Sequence, residues 1–420
     1  MRMPGKYQLA GIIAACVLVR LLTMGALQSW RPDSSGRYGF RDGEIAAALA
    51  AGQGFAWPEN SHYHPGPAAP TAWQAPVYPL VMGATFKLLG TYSRASAAGL
   101  LLFQIAISAA VCVLLFLLGE RLFQRRVGLM AALMFALYPS ALHFSAQKIE
   151  SVTLIVCLLL LFILQLLRLA REPSWQQGIL AGFLAGILLL TDPTMAAFLP
   201  FAAVWYLVVA RGRFMLRIFT GFVFVAAAAL TIFPWQIRNY LVFGELTFIK
   251  SNFSRELFMG NYREERSTEE ERKSMILLGE GERSRLYQNK FMQSVARHPA
   301  QFVLRTFDRV WQFWTMFPYY RSREWNSRTG IMQLGISISY LALLLAGVIG
   351  LAVTRLRGAG VWILFAALLS LPVPYYLTWF ERFRYRFPVE AIMILFASCA
   401  VCRIWEHLAH LPCSWRANRA

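Results

Sequence analysis

Residues 95–118 of this 420-residue chain contain no charged side chain, and neither do residues 218–237. Runs of about twenty apolar residues are long enough to cross the hydrocarbon core of a bilayer. In that core the backbone must satisfy its own hydrogen bonds, which leaves helices as the answer for runs of this length. Such segments recur at 8–28, 95–118, 127–143, 150–168, 176–191, 193–210, 215–235, 331–353, 359–378 and 388–403. The expected fold class is therefore an all-α polytopic membrane protein of about ten transmembrane helices. Composition agrees: only 15% of residues are charged, against about a quarter in soluble domains. The basic, apolar N-terminus has no cleavage site before mature-looking sequence, so it reads as a first span rather than a signal peptide.

A net charge of +19 would suit nucleic acid, but its distribution argues against that partner. With the N-terminus inside, six inner segments hold fifteen of the 41 Lys and Arg residues. The short outer connections around Lys148 and Asp192 hold one between them. That bias places both termini in the cytoplasm, in a cell (inner) membrane. Five of the six cysteines fall in apolar spans and Cys413 in the cytoplasmic tail, so neither a disulfide framework nor a zinc site is indicated. No internal repeat supports a transporter built from inverted halves.

Three regions follow: a membrane core over 1–235 with a first outer loop at 29–94, an outer subdomain over 236–330, and closing spans with a tail over 331–420. In the first loop, residues 43–51 read as an alanine-rich helix with Asp42 as N-cap and Gly52 as C-cap. Residues 77–90 are apolar but short, which suits a re-entrant or interfacial segment. In the second outer segment a solvated helix is expected to start near 268, at the STEEE capping pattern. An amphipathic helix lying on the membrane is expected over 298–314.

Ionisable groups at a membrane are costly, which makes them candidates for chemistry. Asp42 reads either as a helix cap or as a base that takes a proton from an acceptor hydroxyl. Glu44 stands two residues on. Arg238 reads as a phosphate fork or as a snorkelling interfacial side chain. Arg384 and Arg386 belong to three arginines in five residues on the outer side, which asks for something anionic. Glu150 reads as a helix-start acid or an ion pair with Lys148, and Asp192 as a cap. His62 and His64, spaced i and i+2, could chelate a divalent metal together with Asp42 or Glu44, although a solvated loop also accounts for them.

Four stretches in order carry a family resemblance: GEIAAALAAGQGF, PTAWQAPVYPLVMGATFKLLGTYS, PWQIRNYLVFGELTFIKSNFSRELFMGN and RFRYRFPVE. They resemble the polyprenyl-phosphate-dependent glycosyltransferases of GT-C fold, in the protein mannosyltransferase and aminoarabinose transferase branch. The resemblance implies a GT-C-like bundle with outer loop helices, and transfer of a sugar from a polyprenyl-phosphate donor to a lipid, glycan or protein acceptor on the outer face. It implies an acid in the first outer loop as base. The family's acid would be expected where Arg41 stands, so Asp42 and Glu44 both remain open, with Asp42 favoured. On this reading Arg238, Arg384, Arg386 and Lys148 hold donor phosphate, and Asn239, Asn252, Glu256, Asn261 and Tyr78 bind substrate. No cofactor is needed, a divalent metal being the one alternative. A polysaccharide polymerase or O-antigen ligase, and a lipid-linked sugar flippase, are the rival functions.

Overall fold

A computed structural model describes residues 5–31, 36–64, 66–262, 278–315, 328–356, 358–378 and 383–409. The helix expected near 268, together with Asp33, Glu324, Glu381, Arg382 and Cys413, lies outside the described residues. Each of the ten apolar segments coincides with a helix or a pair of helices. Among the described residues seven are long and apolar enough to cross a membrane and an eighth qualifies as a bent pair, whereas the expected spans 176–191 and 193–210 are apolar helices too short to meet that length.

The first long helix, α1 (Gly5–Leu27), leads to the loop helices α2 (Phe40–Ala50) and α3 (Val77–Leu89). Between them a two-residue hairpin pairs β1 (Ala56–Trp57) with β2 (Ala69–Pro70). The core then follows as α4 (Arg94–Leu122), α5 (Arg125–Leu137), α6 (Pro139–Ala146), α7 (Val152–Arg171) and α8 (Trp175–Thr191). A 3-10 turn (Pro193–Phe198) leads into α9 (Leu199–Val209), and α10 (Phe214–Phe243) carries the chain back. The segment after α10 contributes α11 (Phe253–Asn261), α12 (Glu280–Arg297) and α13 (Pro299–Thr315). The chain closes with α14 (Arg328–Thr354), α15 (Ala359–Ser370), the short α16 (Val373–Leu377), a 3-10 turn (Phe383–Tyr385) and α17 (Phe387–Ala409).

The expected span 127–143 is α5 and α6, bent by 58° where Pro139 enters. Proline cannot donate to the preceding turn, so the last carbonyls of α5 need another donor. Arg20, fully buried on α1, supplies it: its guanidinium donates to the carbonyls of Phe135 (3.3 Å) and Ala136 (2.9 Å) and to Ser145 Oγ (2.9 Å). The lone charge inside the first span is therefore a brace for the broken helix. Helices α8 and α10 approach closely because Gly178, Gly182 and Gly186 form a bare stripe. A Cβ on Gly182 would lie 2.3 Å from the carbonyl oxygen of Phe224. Small residues at spacing four are the usual device for such contacts in lipid.

Helix α13 buries Arg309 and Phe313 while Leu304, Phe307 and Trp311 remain exposed, the two-faced pattern of a helix at an interface.

Candidate functional site

Helix α2 begins earlier than its sequence suggested. Gly39, in the left-handed region at φ 79°, is the N-cap, and no side chain caps the helix. Asp42 therefore sits inside the first turn and does not cap. The C-terminal end closes as expected around Gly52 (φ +77°), with Gly52 N–H donating to Leu49 O and Gln53 N–H to Ala48 O, a Schellman ending.

Two carboxylates two residues apart on this helix have opposite surroundings. Glu44 is buried and fully engaged: it pairs with Arg37 at 2.9 Å, accepts from the Ser61 hydroxyl, and accepts from His62 N–H at 3.2 Å. It ties the histidine-bearing loop down, with both carboxylate oxygens engaged. Asp42 has no hydrogen-bond donor among the described residues. It is closely surrounded yet keeps part of its surface open. Burial raises its pKa to about 6 and Glu150 pushes the same way, while Lys250, Arg384 and Arg41 pull it down. A carboxylate so placed lies near the working range of a general base.

The groups that act on Asp42 come from four separate elements. Glu150 is placed by Gln104 of α4, whose amide oxygen accepts from Glu150 N–H (3.2 Å) and Tyr78 Oη (2.6 Å). The Gln104 amide nitrogen donates to Phe144 O (3.0 Å) and Lys148 O (2.8 Å). Arg384 Nη1 stands 3.7 Å from Glu150 Oε2, which accepts no hydrogen bond among the described residues. Arg384 also donates to Tyr385 Oη at 2.9 Å, and Tyr385 packs on Tyr375 with ring centres 4.7 Å apart. Burial pulls the Arg384 pKa down, but Tyr385, Glu150 and Asp42 outweigh it and leave it raised.

Lys250 is fixed by its neighbours. Ile249 O accepts from Trp235 Nε1 at 2.9 Å, and Ser251 N–H donates to Ala72 O at 2.9 Å. Arg41 lies over Tyr63 (5.2 Å) and Trp73 (5.7 Å), and Arg255 approaches the same Trp73 ring at 5.6 Å. Burial lowers the Arg41 pKa against the support of Glu256. The indole nitrogen of Trp73 is buried without a hydrogen-bond partner among the described residues.

Several expected site residues are structural. Arg238 donates to Thr71 O (2.8 Å), Phe55 O (2.7 Å) and Asn239 Oδ1 (3.0 Å) and is packed among Phe55, Trp235 and Phe243. It fastens the hairpin to α10, with Nη1 and Nη2 both bound to backbone carbonyls. Asn239 is fully buried and engaged in that contact. Arg386 is fully buried, pairs with Glu390 at 2.7 Å and lies over Tyr340, and Glu390 also accepts from Tyr138 Oη at 2.9 Å. Asn261, also fully buried, donates to Leu257 O and Leu377 O (2.8 Å each) and accepts from Arg309 (2.6 Å). Tyr78 positions Gln104 rather than facing open space. Lys148 is exposed, and the pairing expected with Glu150 goes instead to Arg384. Glu256 pairs with Arg255 at 3.1 Å near Arg41, and Asn252 stands at the start of α11 without capping it through its side chain.

No group of three or more His, Cys, Asp or Glu side chains suited to a metal ion comes together among the described residues. His62 is exposed, and His64 is buried with its backbone N–H on Ser61 Oγ. The Glu44 carboxylate that might have joined them is engaged by Arg37, Ser61 and the His62 N–H. Lys250, Gln104, Trp73 and Tyr385 escaped the sequence reading. Gln104 alone left a signal, as a polar residue inside a charge-free run.

Comparison with known proteins sets this geometry in context. Residues 73–237 match the family described as dolichyl-phosphate-mannose-protein mannosyltransferase. Among curated proteins none matches. The apo oligosaccharyltransferase of Archaeoglobus fulgidus superposes with a TM-score of 0.58 at 15% identity, covering 98% of this chain and 51% of that one. The same organism's AglB, in complex with an inhibitory peptide and a dolichol-phosphate, gives 0.56 at 15% identity over 98% and 51%. ArnT from Cupriavidus metallidurans bound to undecaprenyl phosphate gives 0.51 at 13% identity over 97% and 62%. This chain thus spans about half the length of the oligosaccharyltransferase. Its fold is shared with these proteins.

Proposed function

We propose that this protein is a membrane glycosyltransferase that moves a sugar from a polyprenyl-phosphate donor to a hydroxyl-bearing acceptor, with Asp42 as base. The observation that carries this reading is a single carboxylate, raised to about 6, without a hydrogen bond among the described residues and facing Lys250, Arg384 and Arg41. The GT-C fold and the partial family match support it. So does the undecaprenyl phosphate bound to ArnT, a protein of the same fold.

In this mechanism the acceptor oxygen bonds to the anomeric carbon as its proton passes to Asp42. The bond from that carbon to the phosphate oxygen breaks on the opposite face, which inverts the carbon. The polyprenyl phosphate leaves with its electron pair, and Lys250 and Arg384 steady the charge that develops there. Glu150 orients Arg384. Glu44 holds the loop that carries Tyr63, and Arg41 with Trp73 lines the approach.

The test is purified protein in lipid nanodiscs with radiolabelled polyprenyl-phosphate sugars and a panel of lipid, glycan and peptide acceptors. The expected result is a labelled acceptor that Asp42→Asn abolishes. Sugar crossing the membrane without covalent transfer would instead establish the flippase reading.

A further inference from the structure

At the end of the molecule away from Asp42, a lipid-facing groove opens between α9 and α15. It encloses about 710 Å³ and is lined by apolar side chains, among them Phe201, Trp205 and Val208 on one wall and Ala359, Trp362 and Ala366 on the other. The helices run antiparallel and are joined by Trp205 Nε1 donating to Ala359 O at 2.6 Å. Trp362 is about half exposed.

The mouth of this groove is cationic. Its lining ends at Val209 and Gly358, and Arg211 follows two residues after Val209, exposed, with its N–H on Ala170 O at 2.8 Å. That bond brings the end of α7, with the exposed Arg168 and Arg171, beside the mouth. The start of α15 abuts the same place, since a Cβ on Gly360 would meet Leu122 and Leu167. Arg121 belongs to the cluster too, donating to Leu167 O at 3.2 Å and feeling the charges of Arg168 and Arg171. Glu172 is the acid that offsets them.

We infer that this groove is a binding site for an anionic glycerophospholipid of the surrounding bilayer, one acyl chain lying between α9 and α15 and the phosphate on Arg168, Arg171 and Arg211. An apolar slot explains the chain and a basic rim between helix ends explains the headgroup. The orientation rule for basic loops accounts for arginines on this side, but not for a cavity that ends among them. The site lies apart from the Asp42 pocket and does not depend on the reaction proposed there.

Native mass spectrometry of the purified full chain tests it, with phosphatidylglycerol and phosphatidylcholine of identical chains titrated after delipidation. Phosphatidylglycerol is expected to bind selectively, and each Arg→Gln change at 168, 171 and 211 to weaken it about fivefold. Filling the slot with Ala366→Phe should reduce binding with the rim intact. Equal retention of both lipids, or no response to the arginine changes, would overturn the site. So would displacement of the lipid by polyprenyl phosphate, or an altered oligomeric state in the filled variant without loss of lipid. Quenching of the Trp362 component, read as wild type minus Trp362→Phe, needs none of the rim variants. Dibromo-phosphatidylglycerol should quench it more than dibromo-phosphatidylcholine, and equal quenching counts against the proposal.

Discussion

The clamp around Thr71 and the pocket around Asp42 are neighbours built from the same residue types, yet they are wired differently. In the clamp, Glu280 accepts from Thr71 Oγ1 (2.5 Å), Ala72 N–H (2.8 Å) and Ser251 Oγ (2.7 Å), while Arg238 binds the carbonyls of Phe55 and Thr71. Both Glu280 oxygens and both carbonyls are engaged. In the pocket, Asp42 has no donor, Glu150 Oε2 has only an ion at 3.7 Å, and the Trp73 indole N–H is unmet among the described residues. Buried polar groups are normally satisfied, so a cluster of unmet ones points to a ligand. Charge near a membrane did not separate the two regions; leftover hydrogen-bonding capacity does.

The largest expected effect sharpens that contrast on a single helix. Asp42→Asn should lower transfer by about 10²–10⁴, the range for loss of a general base, without lowering its melting temperature. Glu44→Gln should instead loosen the 61–64 loop and raise KM, with kcat largely retained. If Glu44→Gln abolishes kcat and Asp42→Asn does not, the assignment of the two acids is reversed.

Arg386 belongs to the saturated class despite its place beside Arg384. Replacing it with Met strands Glu390 in the core and should cost about 3–5 kcal/mol in denaturant unfolding. Selective loss of donor binding in a fully stable protein would return Arg386 to the pocket.

A pH series tests the pocket from the other side. Because the folded pKa of Asp42 is raised from 3.8 to about 6, the folded state prefers the neutral acid. Wild type should therefore lose up to about 3 kcal/mol relative to Asp42→Asn as pH rises from about 4 to 7. Activity should move the opposite way, climbing with an acid limb near pH 6. A flat stability difference across that window would remove Asp42 from its buried, cation-facing position.

Smaller effects remain. Glu280→Gln should cost the clamp about 1.5–3 kcal/mol, read as a lower unfolding midpoint and faster proteolysis of the loop between α2 and α3. Exposed Lys148, changed to Ala, should alter stability by less than about 0.5 kcal/mol and leave transfer unchanged.

Eight of the ten expected spans were legible because lipid tolerates little besides uncharged helix, so composition over twenty residues is already a structural statement; the other two are apolar helices of shorter length. Residues 77–90 were legible as non-spanning by length alone, and α3 is that segment. The bend at Pro139 was not placed, because its support comes from Arg20, over a hundred residues earlier. The site was half legible. An acid before a small-residue helix marked Asp42, but its role depends on Glu44 being consumed by Arg37 and Ser61, which local spacing does not encode. Arg238 looked like a phosphate ligand because its carbonyl partners, at Phe55 and Thr71, lie on other elements. The partner of Arg386, Glu390, stands only four residues on, a spacing the sequence displayed without showing that both groups are buried together.

The brace at Arg20 bears on how the chain enters the membrane in the first place. When α1 emerges it carries a guanidinium whose acceptors at residues 135, 136 and 145 do not yet exist. An arginine deep in a lone helix costs about 2.5–3.5 kcal/mol to insert, and the penalty is lifted only when the broken helix arrives. The first span is thus metastable during synthesis, and Arg20→Leu should insert α1 more readily while leaving α5 and α6 without the contact that holds their angle.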